Sequence, residues 1–375
     1  MAPVAAPSAT PAATAVTRPR APRVWRQLHR WLAYVFGALF VLQGLSGSLL
    51  VVSGPLDAWL NPDMAVPAAQ RSSLAAMAER LERQHPGAVG LGVKQGDDAG
   101  QLIMGFWPEP DPLIPIERRW RLARLHPGSG DAVAVQAFGD WPRTRYDALG
   151  FLYAVHSNLT LGAVGRLIQI GAAMALLVLL AAGIANWVNR RRALHGKPAH
   201  LVFDSAAARW HRGVGLASAF VLAVLLTSGL ALQFETVLDP SFSYRSEDGA
   251  EGQPRLPLQA AWVAAERQYP GAQARLIMAP FTEGGTFRVD LVPASGPHAG
   301  QTVELFVDAH SGRVLRVRDE GGRQGIDRFV ALLEPVHGGG ILGLPGEALA
   351  LLSGLVPLLM LWTGLRRRRR KVQVP

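Results

Sequence analysis

Four stretches of the chain are long, apolar and free of charge: Trp31–Ser53, Leu167–Val188, Gly213–Phe234 and Ala348–Leu365. A helix of about 20 such residues crosses a hydrocarbon core of about 30 Å, so the pattern predicts four transmembrane helices. The last is the shortest and contains Pro357, which predicts a kink. Between spans one and two, and again between three and four, the pattern changes. Ser72–Gln84 and Leu256–Gln268 repeat apolar positions at helical spacing and stop at Pro-Gly turns. Thr286–Leu291 and Val303–Val307 alternate as strands do, while Pro127–Gly130 and His310–Gly312 read as hairpin turns. Each connecting segment is therefore expected to hold a small α+β domain. The Pro-rich Trp107–Pro115 stretch is an exposed insert in the first.

Charge orients this pattern. The net charge is +10, and the basic residues cluster at span ends. Arg18, Arg20, Arg23, Arg26 and Arg30 precede span one; Arg190, Arg191, Arg192 and Lys197 follow span two; Arg209 and Arg212 lead into span three; Arg366–Arg370 and Lys371 close span four. Cations stay on the cytoplasmic side. Both termini and the 189–209 loop are thus expected inside, and both long segments outside, in the periplasm of a Gram-negative cell. The predicted order is a disordered tail (1–24), span one (25–53), an outer domain (54–155), span two (156–188), a cytoplasmic loop (189–209), span three (210–234), a second outer domain (235–336), span four (337–365) and a basic tail (366–375). Span one reads as a retained anchor, since no small-residue cleavage site follows it. Only 18% of residues are charged and mean hydropathy is +0.16, against about 25% charged in soluble domains. Basic clusters beside apolar runs suit a membrane rather than nucleic acid.

The chain reads as one unit written twice. Residues 54–166 and 235–347 are both 113 long. His29-Arg30 opens span one with Ser46-Gly47 near its end, and His211-Arg212 opens span three with Ser228-Gly229 at the same offset. Val155-His156, Leu161-Gly162 and Gly165 precede span two; Val336-His337, Leu342-Gly343 and Gly346 precede span four; Gly183 and Gly364 match further on. The unit is span, outer domain, span, repeated in parallel orientation.

Cysteine is absent, which excludes disulfides, thiolate zinc, iron–sulfur clusters, a catalytic thiol and covalently attached c-type haem. Of ten histidines, four occupy matched positions at span ends: His29 with His211 on the inner side, His156 with His337 on the outer. A pseudo-two-fold axis along the membrane normal would bring each pair face to face, the arrangement a bis-histidine b-type haem needs inside a bundle. Two haems b are expected, the four histidines being axial ligands to iron. Arg30 and Arg212 stand beside the inner pair, where guanidinium groups match haem propionates. Arg166 is near the outer pair, but its repeat mate is Glu347. His29 shares a helical face with Ala33, Phe36, Phe40, Gln43 and Gly47; His211 shares one with Gly215, Ser218, Leu222 and Gly229. Taken singly, any of these histidines could equally snorkel at an interface; the matching is what favours haem. His195 and His200 are weaker candidates for a contact with an electron donor. His85, His126, His298 and His310 are expected in solvated parts of the outer domains.

Absences narrow the function. No span interior carries Asp, Glu, Lys or Arg, which counts against an ion-coupled transporter. No Gly-rich nucleotide or flavin fingerprint and no Gly-x-Ser-x-Gly elbow is present. Electrons would come from membrane quinol or a separate cytoplasmic reductase.

Through Leu28-His29-Arg30-Trp31, Ala208-Arg209-Trp210-His211-Arg212, Val155-His156 with Leu161–Arg166, and Val336-His337 with Leu342–Gly346, the sequence resembles the PepSY-associated transmembrane family of bacterial inner-membrane proteins over about residues 25 to 370. Glu347 departs from its Gly-Arg pattern. The resemblance implies four spans with two periplasmic PepSY domains. It also implies a link to iron acquisition, some members looking like di-haem reductases that release iron from ferric siderophores. The alternative is a non-enzymatic, PepSY-domain binding or regulatory protein whose spans are anchors.

Overall fold

The computed structural model describes residues 23–96, 102–108, 119–195, 205–247, 254–282, 284–319 and 321–369. The expected tail up to residue 22, residues 196–204 of the 189–209 loop, residues 109–115 of the Pro-rich insert and the last six residues lie outside them; Trp107 and Pro108, expected in that exposed insert, instead end a strand, and Trp107 is buried. The first span is α1 (Arg23–Val51), followed by the short α2 (Ser53–Leu60). Helix α3 (Leu74–Gln84) and strands β1 (Gly92–Gln95), β2 (Ile103–Pro108), β3 (Trp120–Leu125) and β4 (Ala132–Ala137) form the first extramembrane segment. Helix α4 (Ala148–Asn158) then turns back into α5 (Gly162–Leu194). The second half runs through α6 (Ala206–Ala217), α7 (Ala219–Leu232), α8 (Glu235–Leu238) and α9 (Leu258–Gln268). It continues with β5 (Gln273–Met278), β6 (Phe287–Val292), β7 (Val303–Val307), β8 (Val314–Arg318), α10 (Gly325–Gly338) and α11 (Leu344–Arg369).

Among the described residues, three helices are long and apolar enough to cross a membrane unaided: α1, α5 and α11. The third expected span is broken. Helices α6 and α7 meet at Ser218 with a 53° bend, where the Ser218 hydroxyl donates to the Val214 carbonyl at 2.8 Å. A serine turned back on its own helix bends it. Pro357 lies inside the single α11 helix. There α11 crosses α1 closely: a side chain on Gly44 would strike the Gly354 carbonyl, and Ser48 donates to the Leu351 carbonyl at 2.8 Å. Small residues at a crossing let two backbones touch.

Outside the spans, the strands of both segments join one antiparallel sheet in the order β4-β3-β2-β1-β5-β6-β7-β8. The seam between halves is β1–β5, with Gly92, Val93 and Lys94 opposite Met278, Ile277 and Leu276. The expectation of a separate small domain in each segment is thereby modified: each contributes one helix and four strands to a common sheet. Helices α3 and α9 cover one face. Their Leu74, Met77, Leu81, Leu258, Ala261 and Ala265 bury Val93, Ile103, Ile277, Val289 and Leu305, at roughly 25 cal/mol per Å² of apolar area removed from water.

The opposite face looks toward the spans. One cross-strand row runs Arg124, Met104, Lys94, Leu276, Asp290, Glu304, Arg318. Its ends are pinned. Arg124 binds Asp57 of α2 at 2.7 Å with both side chains almost fully buried, and Arg318 binds Asp239, just after α8, at 2.9 Å. Asp57 and Asp239 are separated by the same 182 positions as His29 and His211. Their arginine partners, however, come from β3 in one half and β8 in the other.

Two histidine pairs as the candidate functional site

His29 lies near the start of α1 and His211 in the middle of α6; their ring centroids are 6.1 Å apart, with the rings at 86°. His156 on α4 and His337 on α10 are also 6.1 Å apart, at 44°. The two pairs form two layers. His156 packs against Gly47 of α1. The 18 positions from His29 to Gly47, at about 1.5 Å each, put the layers about 27 Å apart along that helix.

The outer pair is not carried at the heads of the spans. His156 and His337 sit near the ends of separate short helices, and each chain then reverses into the following span. After His156 the turn uses left-handed backbone at Leu159 (φ +56°), Thr160 (φ +60°) and Gly162 (φ +58°); after His337 it uses Gly339 (φ +85°) and Gly343 (φ +61°). Glycine adopts these angles without a Cβ penalty, so the first half holds the same reversal under more strain than the second.

Each imidazole is held from behind through Nδ1. His29 Nδ1 is 3.0 Å from the Leu179 carbonyl, and His211 Nδ1 is 3.0 Å from the Thr363 hydroxyl. His156 Nδ1 is 3.0 Å from the Ser46 hydroxyl, while His337 Nδ1 is 2.8 Å from the Leu225 carbonyl and 3.3 Å from the Ser228 hydroxyl. A second hydrogen bond of this kind fixes ring orientation and leaves Nε2 as the ligating nitrogen. Four glycines make the room. An added Cβ would stand 3.3 Å from His29 at Gly183, 3.7 Å from His211 at Gly364, 2.9 Å from His156 at Gly47 and 2.6 Å from His337 at Gly229. The matched glycines of the two halves thus seat the imidazole edges.

Three amides brace the outer layer: Gln43 donates to the Val155 carbonyl (3.3 Å), Gln169 to the His156 carbonyl (2.8 Å) and Gln233 to the Ser157 carbonyl (3.1 Å). Gln169 and Gln233 were not singled out from the sequence. Their signal was an uncharged polar side chain within or at the edge of an apolar run.

These residues fit a haem. Two imidazoles bound to one metal at about 2 Å per bond, with about 1.1 Å from nitrogen to ring centre, have centroids about 6.2 Å apart. Among the described residues no group of three or more His, Asp or Glu could hold a bare metal ion. Paired histidines suit a metal whose other ligands come from a macrocycle.

The arginines are less uniform. Arg212 lines a cavity of about 400 Å³ with Trp187, Arg190, Arg191, Leu194 and His195. Arg30 is exposed and Arg166 half-buried, and no contact of either with a histidine ring is seen among the described residues. His200 lies outside those residues. Three of the four outer-segment histidines have local partners: His85 stacks on Trp107 at 4.1 Å, His126 Nδ1 accepts from the Gly128 amide, and His298 lies 3.6 Å from Asp319; the Nδ1 of His310 is buried.

Comparison with known proteins agrees with a membrane architecture. A family described as the PepSY-associated TM region matches residues 26–370. No curated protein matches the chain.

Proposed function

Because the chain belongs to the PepSY-associated transmembrane family, a family of membrane proteins, we propose that it is a di-haem b oxidoreductase carrying electrons across the bacterial inner membrane to a periplasmic acceptor, a ferric siderophore. The observation that carries this reading is the repetition of one ligating unit: two histidine pairs with 6.1 Å centroid spacing, each ring held at Nδ1 and backed by a glycine. Both termini are cytoplasmic in this reading, and the molecule is a duplicated span–outer segment–span unit, supported by the shared element order of its halves.

His29 and His211 would hold the inner haem, His156 and His337 the outer. Bound between paired imidazoles, haem iron supplies one-electron ferric/ferrous chemistry and requires no nucleophile or general base. The protein's own contribution is orientation and environment. The Leu179 and Leu225 carbonyls and the Thr363 and Ser46 hydroxyls set the ring planes. Arg212, Arg30 and Arg166 are the cations available to carboxylate groups of the cofactor. The basic cavity beside Arg212 suits docking of a cytoplasmic reductase, with membrane quinol as the other donor. Reduction of a ferric siderophore weakens chelation and frees iron.

The test is an absorption spectrum of detergent-purified protein, before and after dithionite, with pyridine haemochrome quantification. About two haems b per chain is the expected result. A colourless preparation from haem-replete cells overturns this reading in favour of a PepSY-domain binding protein.

A further inference from the structure

Behind the inner histidine pair, one residue departs from the repeat. Positions 182 and 363 are 181 residues apart, the spacing that also relates His156 to His337 and Gly183 to Gly364. Both positions are fully buried, but one is Ala182 and the other Thr363. The first half therefore has a bare methyl where the second half has a hydroxyl beside its methyl.

The two inner rings are held accordingly. His29 Nδ1 meets the Leu179 carbonyl at 3.0 Å. The residue matching Leu179 is Met360, again 181 positions on. At His211, however, the group 3.0 Å from Nδ1 is the Thr363 hydroxyl, which donates to the Leu359 carbonyl at 2.7 Å with the Met360 carbonyl at 3.2 Å. A hydroxyl has one proton. With that proton given to carbonyls of its own helix, as buried threonines do, its oxygen accepts from the His211 Nδ1–H. The ring also stands further out: a Cβ at Gly364 would lie 3.7 Å from His211, against 3.3 Å between Gly183 and His29. The outer pair provides the contrast. Ser46 and Ser228 occupy matched positions, with hydroxyls 3.0 Å and 3.3 Å from Nδ1 of His156 and His337, so no change of residue at that position separates those two rings.

The acceptor behind Nδ1 sets how much electron density an imidazole gives through Nε2, and hydrogen bonding around the ligands is one lever on a haem potential. We infer that Thr363 is a positioning residue that tunes the inner layer: its hydroxyl, missing from the matched Ala182, sets the donor strength of His211 and makes the two inner ligands unequal. The inference rests on the reading of the histidine pairs as haem ligands. Thr363 acts through His211.

The experiment is a redox titration of the full haem-loaded chain in detergent, followed at the α band and resolved into two one-electron components. Thr363→Val keeps the branched shape and removes the hydroxyl, so the His211 Nδ1–H loses its acceptor and the imidazole gives less density to ferric iron. One component is expected to move to higher potential, by about fivefold in its ferric/ferrous equilibrium, the worth of one hydrogen bond. The other component stays where it is. Thr363→Ser keeps the hydroxyl and restores the wild-type value, and pyridine haemochrome content is the same in all three proteins. No shift, a shift to lower potential, a common shift of both components, loss of haem from Thr363→Val, or failure of Thr363→Ser to restore the value overturns the inference. The parent reading fails separately: a wild-type chain that takes up no haem loses both, whereas a haem-loaded Thr363→Val with unmoved components loses only the tuning.

Discussion

The two histidine layers use the same part in different surroundings. Both have the 6.1 Å ring spacing and an imidazole held at Nδ1 by a carbonyl or hydroxyl of a neighbouring helix. The inner layer is mounted on α1 and on the first half of a bent span, near a cavity bearing Arg190, Arg191 and Arg212. The outer layer is mounted on two short helices that end in reversals, near Glu235 and Glu334 and under the sheet. A haem held as proposed in both layers, but surrounded by cations at one end and carboxylates at the other, would titrate differently at each. Negative charge favours the oxidised, more positive metal. The ligating geometry is thus the common element, and the environment is what separates the layers.

Removing one layer is the largest way to test their independence. Because the pairs lie about 27 Å apart along α1, His156→Ala or His337→Ala is expected to abolish one of two haem signals, and His29→Ala or His211→Ala the other. Pyridine haemochrome content should fall by about half in each variant. Loss of both signals in every variant would show that the layers fold as one.

The two pins of the sheet come next. Asp57→Ala removes the 2.7 Å carboxylate partner of the buried Arg124 guanidinium. Breaking a buried pair by removing one partner costs up to about 3–5 kcal/mol, and thermal unfolding should report a fall in Tm. In Asp239→Ala, Glu304 and Asp327 still hold Arg318, so removing Glu304 as well should lower Tm further. No further fall in the double variant would mean that the extra carboxylates contribute nothing.

The glycines sharpen the comparison further. A Cβ at Gly229 or Gly47 comes within 2.6 or 2.9 Å of an outer histidine, whereas at Gly183 and Gly364 the inner rings stand at 3.3 and 3.7 Å. Alanine is therefore expected to disturb the outer spectrum in the order Gly229, then Gly47, with Gly183 milder and Gly364 tolerated. The measure is the low-spin haem signal at each layer. A reversed order would mean that the backbone yields more easily around the outer pair than its reversals suggest.

How much of this was readable beforehand follows from where the information lies. The spans, the α3 and α9 helices and the four histidines were legible, because apolar runs, helical spacing and offsets of 181 or 182 residues are linear patterns. The matched glycines were legible as matches but not as seats for imidazole edges, which requires knowing which helices touch. Tertiary features escaped. The β1–β5 seam pairs residues about 180 apart, and nothing local in Gly92–Gln95 announces it. The reversal after His337 is signalled by its glycines, while the equivalent one at Leu159 and Thr160 has residues that rarely take positive φ. Asp57 and Asp239 shared the repeat offset, but their arginines come from non-equivalent strands.

The smallest effect separates two carboxylates four residues apart near the outer layer. Burial pushes the Glu235 carboxyl up from its ordinary value, reinforced by Glu334 and Asp239 and opposed by Arg288 and Lys94. Burial also acts upward on Asp239, but hydrogen bonds and charge from Arg318, with the Ser241 amide, carry it below its ordinary value. The signs then oppose. Asp239 contributes stability above its unfolded pKa of about 3.9, and that contribution is lost as pH falls through the depressed folded value. Asp239→Asn should accordingly be less stable than wild type at neutral pH, with the difference closing in acid. Glu235 favours folding below its unfolded pKa of about 4.3, and this advantage is lost as pH rises through the raised folded value. Glu235→Gln should therefore be slightly more stable than wild type at neutral pH and indistinguishable from it in acid. Thermal unfolding of both variants from pH 7 to pH 3 reads both signs. Parallel curves for the two variants would show that the carboxylates share one environment, and the contrast between a carboxylate pinned by Arg318 and one pushed up by burial would not hold there.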